Sequence, residues 1–177
     1  SNYSITNTLT NATNLTQDFD SWIAGGQALG DFWEQDPTDN YNWTVGTGAS
    51  PGFNTGPNGD HTSGTGNYLY TANTFTAVLA RLISPCLDFS GNTYPKMDFW
   101  YHMNGNGIGT LAVDYLDSTG TWVNAWTLSG QQGTAWQKAI VDLAPLANQV
   151  SKIRISHTTA GVGCELAIDA IFIYQLA

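Results

Sequence analysis

The sequence predicts an all-β fold, two antiparallel sheets packed face to face. Three observations lead there. Apolar and polar residues alternate with period two in one segment after another, as they do in strands with one buried face. Gly, Asn, Pro and Asp interrupt the chain at short spacing, where turns are required. No stretch carries the apolar rhythm of a convincing helix.

Taken in order, residues 1–16 are Asn/Thr/Ser-rich and read as an N-terminal edge strand or a linker; residues 17–177 read as a single domain. Tyr41 to Val45 reads as a strand. Residues 46–67 form a long Gly/Ser/Thr/Asn/Pro stretch, and a loop of that length in a compact domain is expected to be functional or pinned. Tyr68 to Thr71 and Thr76 to Ile83 are strands, the second stopped by Ser84-Pro85. Phe99 to Tyr115 reads as a central hairpin, with aromatic Met97–Met103 and alternating Gly109–Tyr115 joined through Asn104-Gly105-Asn106-Gly107. Trp122 to Leu128 and Trp136 to Leu143 follow. Val150 to Ser156 places Ile153 and Ile155 on one face, with Lys152, Arg154 and Ser156 on the other. In the last strand Leu166, Ile168, Ala170, Phe172 and Tyr174 are in phase. About ten strands with no helix are best buried as two stacked sheets.

Composition narrows the partners. The 177 residues are 42% hydrophobic and only 11% charged, with seven Trp, eight Tyr and seven Phe. Five Lys+Arg against a net charge of −9 leave no basic patch for phosphates, so nucleic acid is excluded as a partner. No apolar run reaches membrane-spanning length, so membrane insertion is not expected. The chain opens at Ser1 rather than Met, as a processed or excised piece would. An acidic, Lys-poor and Trp-rich chain fits an extracellular setting, where disulfides persist. Cys86 and Cys164 are then expected to pair, the alternative being two separate buried thiols.

Several segments, in this order, resemble the MAM domain, an extracellular module of meprins, neuropilins and receptor tyrosine phosphatases. They include Asp18-Phe19-Asp20, Trp33 to Trp43, Ser50-Pro51, Gly56-Pro57, Asp60 to Gly64, Tyr68-Leu69-Tyr70 and Ala80 to Pro85. They continue with Phe99 to Met103, Gly109-Thr110-Leu111, Trp136 and Ile168 to Ile171. The resemblance covers about 17 to 174 and implies a jelly-roll sandwich. The chain departs from it where the family usually has cysteines: Gln17 and Phe32 stand at two of those places, and Tyr94 to Met97 at a third.

Three kinds of site are expected. Asp20, Asp60 and Asp169 sit on segments that a jelly roll brings together, and related modules hold calcium there; hard oxygen ligands suit Ca²⁺, although Asp also caps turns. Trp22, Trp122 and Trp126 lie outside the strongest family segments and are candidates for stacking on sugar rings, with core burial as the alternative. Trp122 and Trp126 share one strand face by parity. Catalysis is poorly supplied. The two Glu, Glu34 and Glu165, are far apart, and Glu165 lies about 13 Å from Asp169 along one strand face, too far for a glycosidase pair. His61, His102 and His157 have no metal-ligand spacing, and Ser63 is not in a nucleophile elbow. The expected function is therefore a non-catalytic extracellular recognition or adhesion module of a larger secreted or surface protein, with a structural calcium ion. Its partner is expected to be a glycan or a protein surface, alongside other domains of the same chain. The alternative is a carbohydrate-binding module attached to a polysaccharide-degrading enzyme, and a hydrolase ranks last.

Overall fold

The computed structural model describes residues 8–177. Fourteen strands follow one another: β1 Thr10–Asn11, β2 Leu15–Gln17, β3 Glu34–Gln35, β4 Thr44–Thr47, β5 Asn67–Tyr70, β6 Leu79–Ile83, β7 Leu87–Asp88, β8 Pro95–Met103, β9 Thr110–Leu116, β10 Trp122–Ser129, β11 Gln137–Asp142, β12 Val150–Ser151, β13 Ile153–Thr158 and β14 Leu166–Gln175. Among the described residues there is one 3₁₀ turn, Ala144–Leu146, with Pro145 in it. Of the first sixteen residues, 1–7 lie outside the described part; the rest supply β1, parallel to β7, and most of β2, antiparallel to β14. The surplus over the expected ten strands comes from two-residue pairings such as β1, β3, β7 and β12.

Two sheets form the sandwich. The front sheet runs β11-β8-β14-β5-β4, with β2 beside β14; the back sheet runs β10-β9-β13-β6-β3; β1-β7-β12 make a small third sheet. Alternation does the burying. Met97, Phe99, Tyr101 and Met103 of β8 meet Leu111 and Val113 of β9 and Ile153 and Ile155 of β13 in one core, which Trp33 and Trp43 extend. Side chains of this size stabilise by about 1.5–3 kcal/mol each on full burial.

The expected hairpin over 99–115 does not exist. β8 pairs with β11 and β14 in the front sheet, whereas β9 pairs with β10 and β13 in the back sheet. Residues 104–109 carry the chain from one sheet to the other. Ile108, fully buried, pins this crossover into the core, which a solvent-facing hairpin tip would not do. Gly105 and Gly109 have φ of 144° and 72°, and a Cβ at either would lie about 2 Å (2.1 and 1.9 Å) from the carbonyl oxygen of Gly163 or Thr158.

Two bulges re-aim side chains, and each overturns a parity reading. In β10 the register shifts between Asn124 and Trp126, so Trp126 opposes Val113 on the core side while Trp122 opposes Leu116 on the outer side. The two tryptophans do not share a face. In β14 the register shifts between Asp169 and Phe172, around Ala170 at φ 49°. Leu166, Ile168, Ile171 and Ile173 enter the core, and Phe172 and Tyr174 stack on each other outside it, 5.1 Å apart.

The cysteines are both free. Cys86 follows the Ile83 end of β6, and Cys164 follows the Thr158 end of β13. Ile83 pairs with Arg154 and Leu79 with Thr158, so these are opposite ends of one antiparallel pair. That separation is about 13 Å or more of strand, against the roughly 7 Å limit between bridged Cα atoms.

Candidate functional site

The long loop between β4 and β5 lies over the outer face of the front sheet and is pinned there. Gly52 N–H donates to Glu165 Oε2 at 2.9 Å, Thr55 Oγ1 to the Asn104 carbonyl at 2.8 Å, and Trp136 Nε1 to the Gly59 carbonyl at 3.1 Å. The His61 ring stacks on Trp100 at 3.7 Å.

The three expected acids meet at this loop. Asp60 folds its own loop, accepting from the amides of Thr62, Ser63 and Gly66. Asp20 accepts from Asn67 N–H at 2.7 Å, and Asp169 from His61 N–H at 2.8 Å and Ala170 N–H at 2.6 Å. Gly66 fits between the first two: a Cβ there would lie 2.4 Å from Asp20 Oδ1 and 2.9 Å from Asp60 Oδ2. Burial pushes Asp169 up to about 7; the His61 and Ala170 amides pull against that, and the charges of Asp60 and Asp20 add to it. Burial also works against ionised Asp60, but its amide and hydroxyl donors outweigh it and the pKa lies below the ordinary value. Among the described residues no group of three or more His, Cys, Asp or Glu side chains is arranged to hold a metal. None of the three acids takes part in the ion pairs of the described chain, which use Asp36, Asp98, Asp114 and Asp142. Glu165, 1% exposed, is spent holding the loop.

The tryptophans divide by location. Trp22 is 6% exposed, its indole N–H donating to Asp31 Oδ2 at 2.9 Å, so its ring is closed to a sugar. Trp126 packs edge-on against Phe99 at 5.4 Å. Trp122 alone of the three stands half-buried on an outer face, with the Arg154 guanidinium 4.5 Å from its ring centre.

That outer face of the back sheet holds both arginines of the chain. Arg154 grips Asp114 Oδ2 through Nε at 3.1 Å and Nη2 at 2.8 Å. Asn124 donates to the other oxygen of Asp114 at 3.0 Å. Arg81 approaches Asp36 at 3.7 Å. Burial disfavours the charge on Asp36, but the Thr38 hydroxyl and amide, with Arg81 and Arg154, more than compensate and depress its pKa. Ser156 and Arg81 are cross-strand neighbours, and Ser156 Oγ and Arg81 Nε are both buried without a hydrogen-bond partner. The row Trp122, Asp114, Arg154, Arg81, Asp36 thus crosses five strands, about 19 Å. The alternation of β13 placed Arg154 and Ser156 together in the sequence. Their partners, more than 30 residues away, needed the strand order.

Residues 18–176 match the family described as MAM domain, meprin/A5/mu. Neuropilin-1a of Danio rerio is 35% identical over 153 residues, covering 78% of this chain and 16% of that protein. The human MAM domain-containing glycosylphosphatidylinositol anchor protein 2 is 34% identical over 159 residues, 80% of this chain and 16% of its own length. The chain therefore spans about a sixth of these relatives. In fold it is similar to the K1 cleaved adhesin domain of Lys-gingipain from Porphyromonas gingivalis W83, with a TM-score of 0.64 at 16% identity, covering 93% of this chain and 99% of that one. It is also similar to TmCBM61, solved in complex with β-1,4-galactotriose, with a TM-score of 0.57 at 14% identity, covering 82% and 90%. No helix of the described residues is long and apolar enough to cross a membrane.

Proposed function

This chain belongs to the MAM domain family, and from that premise we propose that it is a glycan-binding module whose platform is the outer face of the back sheet. The domain is an extracellular β-sandwich of the MAM family, a part of much longer proteins in its relatives, and its fold is shared with adhesin and carbohydrate-binding domains. The observation that carries the finer reading is the bulge in β10, which turns Trp122 outward beside Arg154 while Trp126 goes to the core. An indole offers a flat apolar surface to the C–H face of a sugar. The Asp114–Arg154–Asn124 cluster offers donors and acceptors to its hydroxyls. Two arginines against two aspartates leave the row close to neutral, which suits an uncharged chain.

The test is affinity electrophoresis against soluble plant and bacterial polysaccharides together with a glycan array, using the wild type and Trp122→Ala. Binding reduced at least about tenfold by the substitution, roughly the cost of a lost stacking contact, supports the reading. A wild-type chain that binds no glycan turns it over in favour of a protein-surface partner.

A calcium ion near Asp20, Asp60 and Asp169 is part of the same proposal. Three carboxylates gather at one loop without a cationic side chain, and their hard oxygens suit Ca²⁺, which would supply the missing countercharge. Binding to the native state alone raises the melting temperature with ligand concentration. Unfolding in calcium and in excess chelator should therefore differ by several degrees, and an unchanged melting temperature removes the ion.

A further inference from the structure

A cavity lies apart from the Trp122 face, at the end of the sandwich where β8 hands over to the crossover. It encloses about 230 Å³ and is lined by Ser50, Asn54, Asn58, His102, Asn104 and Thr134, with backbone of the long loop between them. At about 30 Å³ per water that is room for roughly seven waters, the size class of one small ring with its hydroxyls. Three amides and three hydroxyl residues line it, and the lining contains no Lys, Arg, Asp or Glu.

His102 forms part of its wall. His102 is 4% exposed, and its Nε2 lies 3.0 Å from the Thr134 carbonyl. A carbonyl only accepts, so Nε2 carries the proton and Nδ1 is left as a lone-pair acceptor. That Nδ1 is buried with no hydrogen-bond partner. The walls are fixed in advance. Thr55 Oγ1 donates to the Asn104 carbonyl and accepts from Glu165 N–H, and Gln131 Nε2 reaches Asn104 Oδ1 at 3.3 Å. At the rim Asn54 is held at φ 54°, and its neighbour Phe53 is 88% exposed, an aromatic ring offered to solvent.

We propose that this cavity is a second binding site, which takes one neutral, hydroxyl-rich ring such as the terminal residue of a saccharide. Hydroxyls match a lining of amides and hydroxyls, which both donate and accept. Anions are disfavoured by the Glu165 carboxylate behind Gly52 and by the net charge of −9. Cations meet no carboxylate in the lining. The inference extends the reading of the domain as a glycan binder, yet it uses residues of the front sheet and its covering loop, and none of the Trp122 row.

The experiment is an NMR titration of the ¹⁵N-labelled chain with free D-galactose, D-glucose, D-mannose and D-xylose, and with glucuronate as the charged control. Saturable shifts of the Asn54, Asn58 and Asn104 side-chain amides are expected for at least one neutral sugar, in the roughly millimolar range open to a small ligand. Asn58→Ala and Asn58→Asp should each weaken the response at least about fivefold, the scale of one or two hydrogen bonds, and Trp122→Ala should leave it unchanged. Pocket amides that stay unmoved by all four sugars, or move equally with glucuronate, overturn the second site. If polysaccharide binding still depends on Trp122, the glycan reading then stands without it. Shifts at the pocket in a chain that binds no polysaccharide through Trp122 support the second site and overturn the first.

Discussion

His157 provides a sharp test of how the core is built. It lies on the inner side of β13, fully buried, with Nδ1 2.6 Å from Thr71 Oγ1 and Nε2 hydrogen-bonded to the Ile108 carbonyl. The carbonyl fixes the proton on Nε2, so Nδ1 accepts from Thr71. Around it are the Trp43 ring, 6.4 Å away, and the cross-strand neighbours Leu111 and Ala80, none of them charged. Burial therefore drives the pKa from 6.5 to about 4, against the small opposing pull of the Ile108 carbonyl. Between those values the unfolded chain takes a proton that the folded chain refuses. Stability accordingly falls as pH drops from about 6.5 towards 4. At about 1.4 kcal/mol per unit the loss from this residue is about 3 kcal/mol. His157→Leu removes the titration but strands the Thr71 hydroxyl and the Ile108 carbonyl, a cost of about 3 kcal/mol at neutral pH. Urea unfolding followed by tryptophan fluorescence at pH 7, 5.5 and 4.5 measures both. The wild type should exceed the variant at pH 7, and the gap should close almost completely by pH 4.5. His61 and His102 titrate in both proteins and cancel in the difference. A gap that stays constant within about 0.5 kcal/mol across this range, the usual scatter of such comparisons, refutes the account of His157 as a neutral, fully bonded core residue.

Other consequences follow from particular contacts. Trp126→Ala should destabilise by about 2–3 kcal/mol through lost packing on Phe99 and Tyr101, whereas Trp122→Ala should cost under about 1 kcal/mol, its Arg154 contact being at the surface; equal losses in chemical denaturation would mean that the β10 bulge is misplaced. Gly105→Ala should cost on the order of 3 kcal/mol or more, because φ is 144° and the new Cβ would lie 2.1 Å from a backbone oxygen that has no freedom to retreat. A melting temperature near that of the wild type would rule out the crossover described here. With a thiol reagent, Cys86 should react in the native chain and fully buried Cys164 only on unfolding; a mass that changes on reduction would restore the bridge.

Local rules carried much of the architecture. The alternation of β9, β11 and β13, the breaks at Gly, Asn and Pro, and the scarcity of charge were enough for a two-sheet sandwich. The ordered family segments point to the fold, and the length of the loop alone points to its being held. Its anchors on Glu165, Asn104 and Trp136 are 49 to 113 residues distant and leave no local trace. Side-chain direction was legible only as far as the period of two continued unbroken. One inserted residue in β10 sent Trp126 inward and Trp122 outward, and one in β14 sent Phe172 and Tyr174 out and Ile171 and Ile173 in. Bulges carry no distinctive residue in this chain; both fall at alanines. The segment 104–109 has a hairpin's composition because a crossover needs the same left-handed glycines. What decides between the two is whether Ile108 can reach the core. The sequence by itself determined which residues want burial and where the chain can turn. Tertiary packing decided which sheet each strand joins, which face each aromatic takes, and which carboxylates and arginines meet, because those choices depend on pairings between residues far apart in the chain.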